Sequence, residues 1–133
     1  MVKCYDPNEW RLRRTDLWHE GDELLVDAWF QDSSAIRGDP GRRVIFHEYG
    51  IAARIDASTL DFTDISVTPY VLPYVTCHAA PATADVLLGQ NVVDLRELVF
   101  ARLRGTAGCT HLNDMLPALQ DVAGLAPMLA AKR

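Results

Sequence analysis

Ile45, His47, Tyr49, Ile51, Ala53 and Ile55 form a row at every second position that is apolar or aromatic except for one imidazole. Side chains alternate between the two faces of a strand, so this row places one face of an extended Val44–Asp56 segment against a core. The remainder of the first half follows the same two-residue logic. Residues 10–19 alternate, Glu20-Gly21-Asp22-Glu23 reads as a turn, and residues 24–31 continue as a second strand, giving a hairpin. Val26, Ala28 and Phe30 share one face of that strand, while Leu25, Asp27 and Trp29 share the other. The Ser-, Gly- and Pro-rich stretch Asp32–Arg43 reads as a loop. A fourth strand spans residues 62–71, with Pro69 and Pro73 marking an edge or a strand end.

The second half changes period. Pro81 to Leu88 reads as a short helix stopped by Gly89, and Asp94 to Arg104 as a second, carried by Leu95, Leu98, Val99 and Leu103. The helical period continues from Leu112 through Met115, Leu116, Leu119 and Val122 to Leu129, where Pro117 should kink or divide it. Strands followed by helices define an α+β class: an antiparallel sheet of about four strands followed by three helices packed on one face. With 133 residues, one domain over 1–133 is expected. The second face of the sheet would then be solvated or covered by a partner, so a homo-oligomer or a complex with another protein is an expected use of it.

The overall charge narrows the partners. A net charge of −5 and a pI near 5.2 repel nucleic acid and anionic lipid. No apolar run is long enough to span a bilayer, and the first residues carry no apolar signal segment. Three cysteines in no framework spacing suit a reducing cytoplasm. The absence of a Walker loop, a dinucleotide fingerprint and a nucleophile elbow leads us to expect no organic cofactor.

Few residues carry chemistry. His47 on its apolar row is either a packed core histidine or a proton-transfer base, a task that suits imidazole at neutral pH. Tyr49 shares its face and could bind or deprotonate a phenol or stabilise an enolate. Asp27 falls in a row with Leu25 and Trp29, where burial would favour its neutral acid form. Arg14 and Asp16 share a face and read as a structural ion pair. Gly108-Cys-Thr-His reads as a helix start with Thr110 as its cap. Free N–H groups and the helix dipole would favour a Cys109 thiolate, disfavour an imidazolium at His111, and attract an anion; the plainer alternative is a cap beside a buried thiol. Cys77, Cys109 and His111, if they converge, supply donors for zinc or iron. Trp10, Trp18, Trp29, Tyr49, Phe62, Tyr70 and Tyr74 either line a pocket for a flat substrate or fill the sheet core.

Arg13-Arg14-Thr-Asp16, Asp27, Asp32, His47-Glu48-Tyr49, Leu72-Pro-Tyr74, Cys77, Leu88-Gly89 and above all Gly105-Thr-Ala-Gly-Cys-Thr-His-Leu112 resemble a bacterial family, domain of unknown function 2889. The resemblance runs from Arg13 to about Leu119. It implies a cytoplasmic protein in a setting of aromatic or acyl-thioester breakdown. Three uses remain open: a lyase- or isomerase-type acid/base enzyme acting on a small aromatic or acyl substrate through His47, His111, Tyr49, Asp27 and Cys109; a zinc- or iron-binding accessory module; and a non-catalytic partner subunit.

Overall fold

The computed structural model describes residues 9–72, 84–103 and 110–130, the last span with side chains for 113–129. Four antiparallel strands run in sequence order: β1 (Glu9–Glu20), β2 (Glu23–Ile36), β3 (Asp39–Asp56) and β4 (Phe62–Val71). Three helices follow, α1 (Leu95–Arg102), α2 (Thr110–Met115) and α3 (Val122–Ala130), with 3-10 turns at Val92–Asp94 and Leu116–Asp121. Among the described residues no helix is long and apolar enough to cross a membrane.

The two-residue Gly21-Asp22 turn starts the register. Gly21 has φ +62°, at the loop position where a type II′ hairpin turn needs glycine. Pairing then runs without a break from Glu20 opposite Glu23 out to Glu9 opposite Ser34. Leu24, Val26, Ala28 and Phe30 from β2 oppose Ile55, Ala53, Ile51 and Tyr49 from β3, and all eight are buried. The alternation of β3 thus faces the core as expected, although Ile45 at its far end is exposed.

The expected loop over Asp32–Arg43 is not a loop. Both strands run through it and turn at Arg37-Gly38, with φ +86° at Gly38. Ala35 pairs with Arg43 and Ile36 with Asp39, so Pro40, Gly41 and Arg42 are extruded as a bulge. The Gly/Pro signal marked a local irregularity within continuing pairing. Among the described residues the tip of this hairpin extends beyond both neighbours, since β1 pairing ends at Ser34 and β4 pairing ends at Glu48.

The turn between β3 and β4 anchors the segment that leads into the helices. The Asp56 carboxylate accepts from the Ser58 and Thr59 backbone N–H groups at 2.8 and 2.9 Å and from the Ser58 hydroxyl at 2.6 Å. These bonds hold Asp56 below its ordinary range, the Ser58 hydroxyl contributing most. Residues 89–92 then zip onto the start of β4: Gly89 N–H donates to the Phe62 carbonyl, Phe62 N–H to Gln90 and Val92 N–H to Leu60. Asn91 adds side-chain bonds to the Thr59 carbonyl and the Asp61 carboxylate at 2.7 and 2.9 Å.

The helices cover one face. Leu95 and Val99 from α1, Leu103 at its C-terminal cap, and Met115, Leu116, Leu119 and Val122 from the later segments join the β2 and β3 side chains in one buried cluster. Pro117 divides the last helical run as the sequence predicts, with the 3-10 turn spanning the division. Of the first expected helix, residues 84–87 form a 3-10 turn and 81–83 lie outside the described residues.

The opposite face of the sheet is only partly shielded. Trp10, Leu12 and Trp18 on β1 are each about half exposed, and Tyr70 on β4 is more so, with its ring against Gly50. The Trp29 indole N–H donates to Glu48 at 2.9 Å there. The aromatics therefore do not gather in one pocket: Tyr49 and Phe62 are core, Trp10, Trp18, Trp29 and Tyr70 lie on the outer face, and Tyr74 is outside the described residues.

Candidate functional site

Three strands bring a polar row to one end of the helix-covered face. Directly opposed residues of an antiparallel pair share a face. Arg11 lies opposite Asp32, and Asp32 lies opposite His47. The next row inward is Arg13, Phe30 and Tyr49. A polar row thus borders the apolar core at the level where the register shifts between Asp32 and Ser33.

Within the row, Arg11 grips Asp32 with two parallel bonds, Nε to Oδ1 at 2.9 Å and a terminal nitrogen to Oδ2 at 3.0 Å. Such fork-to-fork pairing fixes direction as well as distance. The Asp32 side chain retains only 15% of its surface, against 44% for Arg11. The hydrogen bonds that Arg11 donates to Asp32, with the charge of that carboxylate, hold Arg11 above its already high range, so Arg11 is a permanent cation here. Arg11 and Arg13 also lie over the Phe30 ring, 5.3 and 5.8 Å from its centre.

The helical layer closes on this row through α2. Asp114 accepts from Arg11 at 2.6 Å and lies 3.8 Å from Arg13. Its neighbour Asn113 donates to the Leu103 carbonyl at 2.6 Å, while its buried Oδ1 has no hydrogen-bond partner among the described residues. Arg13 and Asp114 also border an open hollow of about 620 Å³ against Arg96, Pro117 and Asp121. On the other side of β2, Arg43 donates to the Ser33 hydroxyl and carbonyl at 3.0 Å each and stacks on Trp10 at 3.8 Å.

The residues singled out from the sequence separate into three groups. His47 and Tyr49 are together, both buried, two positions apart on the covered face. Asp27 is not with them. It sits on the opposite face, about half exposed, 3.2 Å from Arg14. The longer apolar row of β2 takes the helix side, so the expected burial of Asp27 fails with the face assignment. Arg14 does pair with Asp16, at 2.9 Å. Cys77, Cys109 and the side chain of His111 lie outside the described residues, although the α2 backbone that carries His111 is helical. Among the described residues no group of three His, Cys, Asp or Glu could hold a metal ion. Asp32, Arg11 and Asn113 were not among the expected site residues.

An antiparallel four-stranded sheet with a helical layer on one face defines the class, an α+β protein, and a charged row lies at one end of the interface between the layers. The chain belongs to the family described as protein of unknown function DUF2889, whose model matches residues 10–124. That span covers the described sheet from Trp10 onward and the helical layer as far as Gly124 in α3. Neither a curated protein nor a solved structure matches the chain.

Proposed function

We propose that the protein is a small cytoplasmic enzyme of aromatic- or acyl-compound breakdown, performing lyase- or isomerase-type proton transfer without an organic cofactor. One observation carries this reading: the register puts His47 on the covered face opposite Asp32, which Arg11 holds by a two-point grip. A carboxylate beside an imidazole stabilises the imidazolium formed when the ring accepts a proton. In this scheme His47 is the base, Asp32 faces it, and Arg11 fixes Asp32. Tyr49, next on the same face, has no exposed surface and belongs to the core behind His47, so its hydroxyl would act on a developing enolate or phenolate oxygen only if the substrate enters between sheet and helices. The aromatic or acyl class of substrate is the one the family resemblance implies.

The test is a deletion strain grown on aromatic and acyl carbon sources, with its metabolites compared with the parent's. Wild-type protein should restore the parental pattern, and His47→Gln accumulating to the same level should not. No change on deletion, or full restoration by His47→Gln, refutes the reading. Loss of the activity on treatment with a chelator would move the chemistry to a metal held by Cys77, Cys109 and His111.

A further inference from the structure

We propose that β1 is a self-pairing edge, and that two copies of this chain join through it into one continuous eight-stranded antiparallel sheet. Edge strands in monomers are usually short, bulged or broken by proline, because an open row of N–H and C=O groups recruits another strand. The other edge of this sheet follows that rule: β4 carries Pro69 and pairs with β3 through two register shifts. β1 has none of these interruptions: it runs 12 residues with no proline, glycine or register shift, and among the described residues no strand pairs with its outer side. Its protection is charge alone, six of the 12 residues being Arg, Asp or Glu, and charge repels only partners whose charges do not complement it. Its outward face presents Trp10, Leu12 and Trp18, each 44% to 50% exposed.

The order of residues in β1 selects the partner. A two-fold axis through Thr15 sets Leu12 opposite Trp18 of the second copy and Arg14 opposite Asp16, each pair occurring twice. On the outer face, from Leu12 to Trp18, apolar thus meets apolar and cation meets anion, while Trp10 falls opposite Glu20 and, on the covered face, Arg13 opposite Leu17 and Arg11 opposite His19; every side chain keeps its face. The neighbouring two-fold registers lack this match. Centring on Arg14 puts two arginines in direct opposition and Leu12 against Asp16, while centring on Asp16 opposes two aspartates and puts Arg14 against Trp18. A palindromic pattern about Thr15 fits a second copy of the same strand.

The experiment uses the full chain. Sedimentation equilibrium should give a dimer, and a monomer across the accessible concentration range would overturn the proposal. Leu12→Lys and Trp18→Lys, both at half-exposed positions, should retain the native circular dichroism and weaken the dimer about tenfold or more, since each removes two pairs. Undiminished dimerisation in either would overturn it. An independent readout comes from oxidative cross-linking, with wild type as the control for Cys4, Cys77 and Cys109. Thr15→Cys should link rapidly to its symmetry mate, because opposed Cα atoms lie within disulfide reach. Arg13→Cys should not, because its mates would lie about 13 Å apart along the strands. Equal linking at both positions would refute the register.

Discussion

Arg11 contacts two carboxylates, and the structure ranks them against the order of their distances. Asp114 is the nearer, at 2.6 Å, but its side chain is 51% exposed. Asp32 lies at 2.9 Å with only 15% exposed, and it is held by two bonds. Water screens the first pair, and exposed pairs of that kind contribute about 0.2–1 kcal/mol. The second resembles a hydrogen bond to a charged group with restricted solvent, about 1.5–3 kcal/mol, reduced because Arg11 itself reaches water. Asp32→Asn should therefore cost about 1–2 kcal/mol. For a chain of 133 residues this is a fall in Tm of about 4–7 °C. Asp114→Asn should cost about 0.5 kcal/mol or less. Urea unfolding of Asp32→Asn, Arg11→Gln and the double variant completes the argument, with an expected coupling of about 1 kcal/mol. Equal losses from Asp32→Asn and Asp114→Asn, or a coupling near zero, would refute the priority given to burial over distance.

Two further outcomes follow from the turns. The folded state holds Asp56 and Glu23 below their ordinary ranges, Asp56 chiefly through the Ser58 hydroxyl and Glu23 chiefly through Arg54. Their contribution is thus complete above about pH 5, where these groups are largely ionised even in the unfolded chain, and is lost as pH falls through the lower folded values; Asp56→Asn should flatten the acid limb of a stability–pH curve, and an unchanged limb would remove Asp56 from the account. Gly89 has φ +74° and, among the described residues, no atom within 4 Å of where a methyl group would stand, so Gly89→Ala should cost about 1–2 kcal/mol through backbone strain, and a neutral result in chemical denaturation would contradict it.

Much of this architecture was legible because its periods are clean. The β3 row alternates without a break from His47 to Ile55, and the helical row from Leu95 to Leu103 has one buried stripe. Asp27 was misplaced because β2 is apolar on both faces. Leu25 and Trp29 suggest a core as strongly as Val26 and Phe30 do, and only the neighbouring layer decides between them. The loop reading of Asp32–Arg43 failed because glycine and proline mark local conformation, whereas pairing is set by the partner strand. The Arg11–Asp32 contact was within reach: a two-residue turn at Gly21-Asp22 counts outward residue by residue to that pair. The link from Asp32 to His47 was not, because the extruded Pro40-Gly41-Arg42 bulge defeats the same count from the Gly38 turn.

The hairpin tip around Gly38 has an engineering consequence. Among the described residues it stands on two strands, beyond the last paired residues of β1 and β4, so the described sheet core does not depend on it. An epitope or fluorophore-bearing peptide spliced between Arg37 and Gly38 would be carried as a flag on a short pole, leaving the charged row and the outer edge of β1 unobstructed.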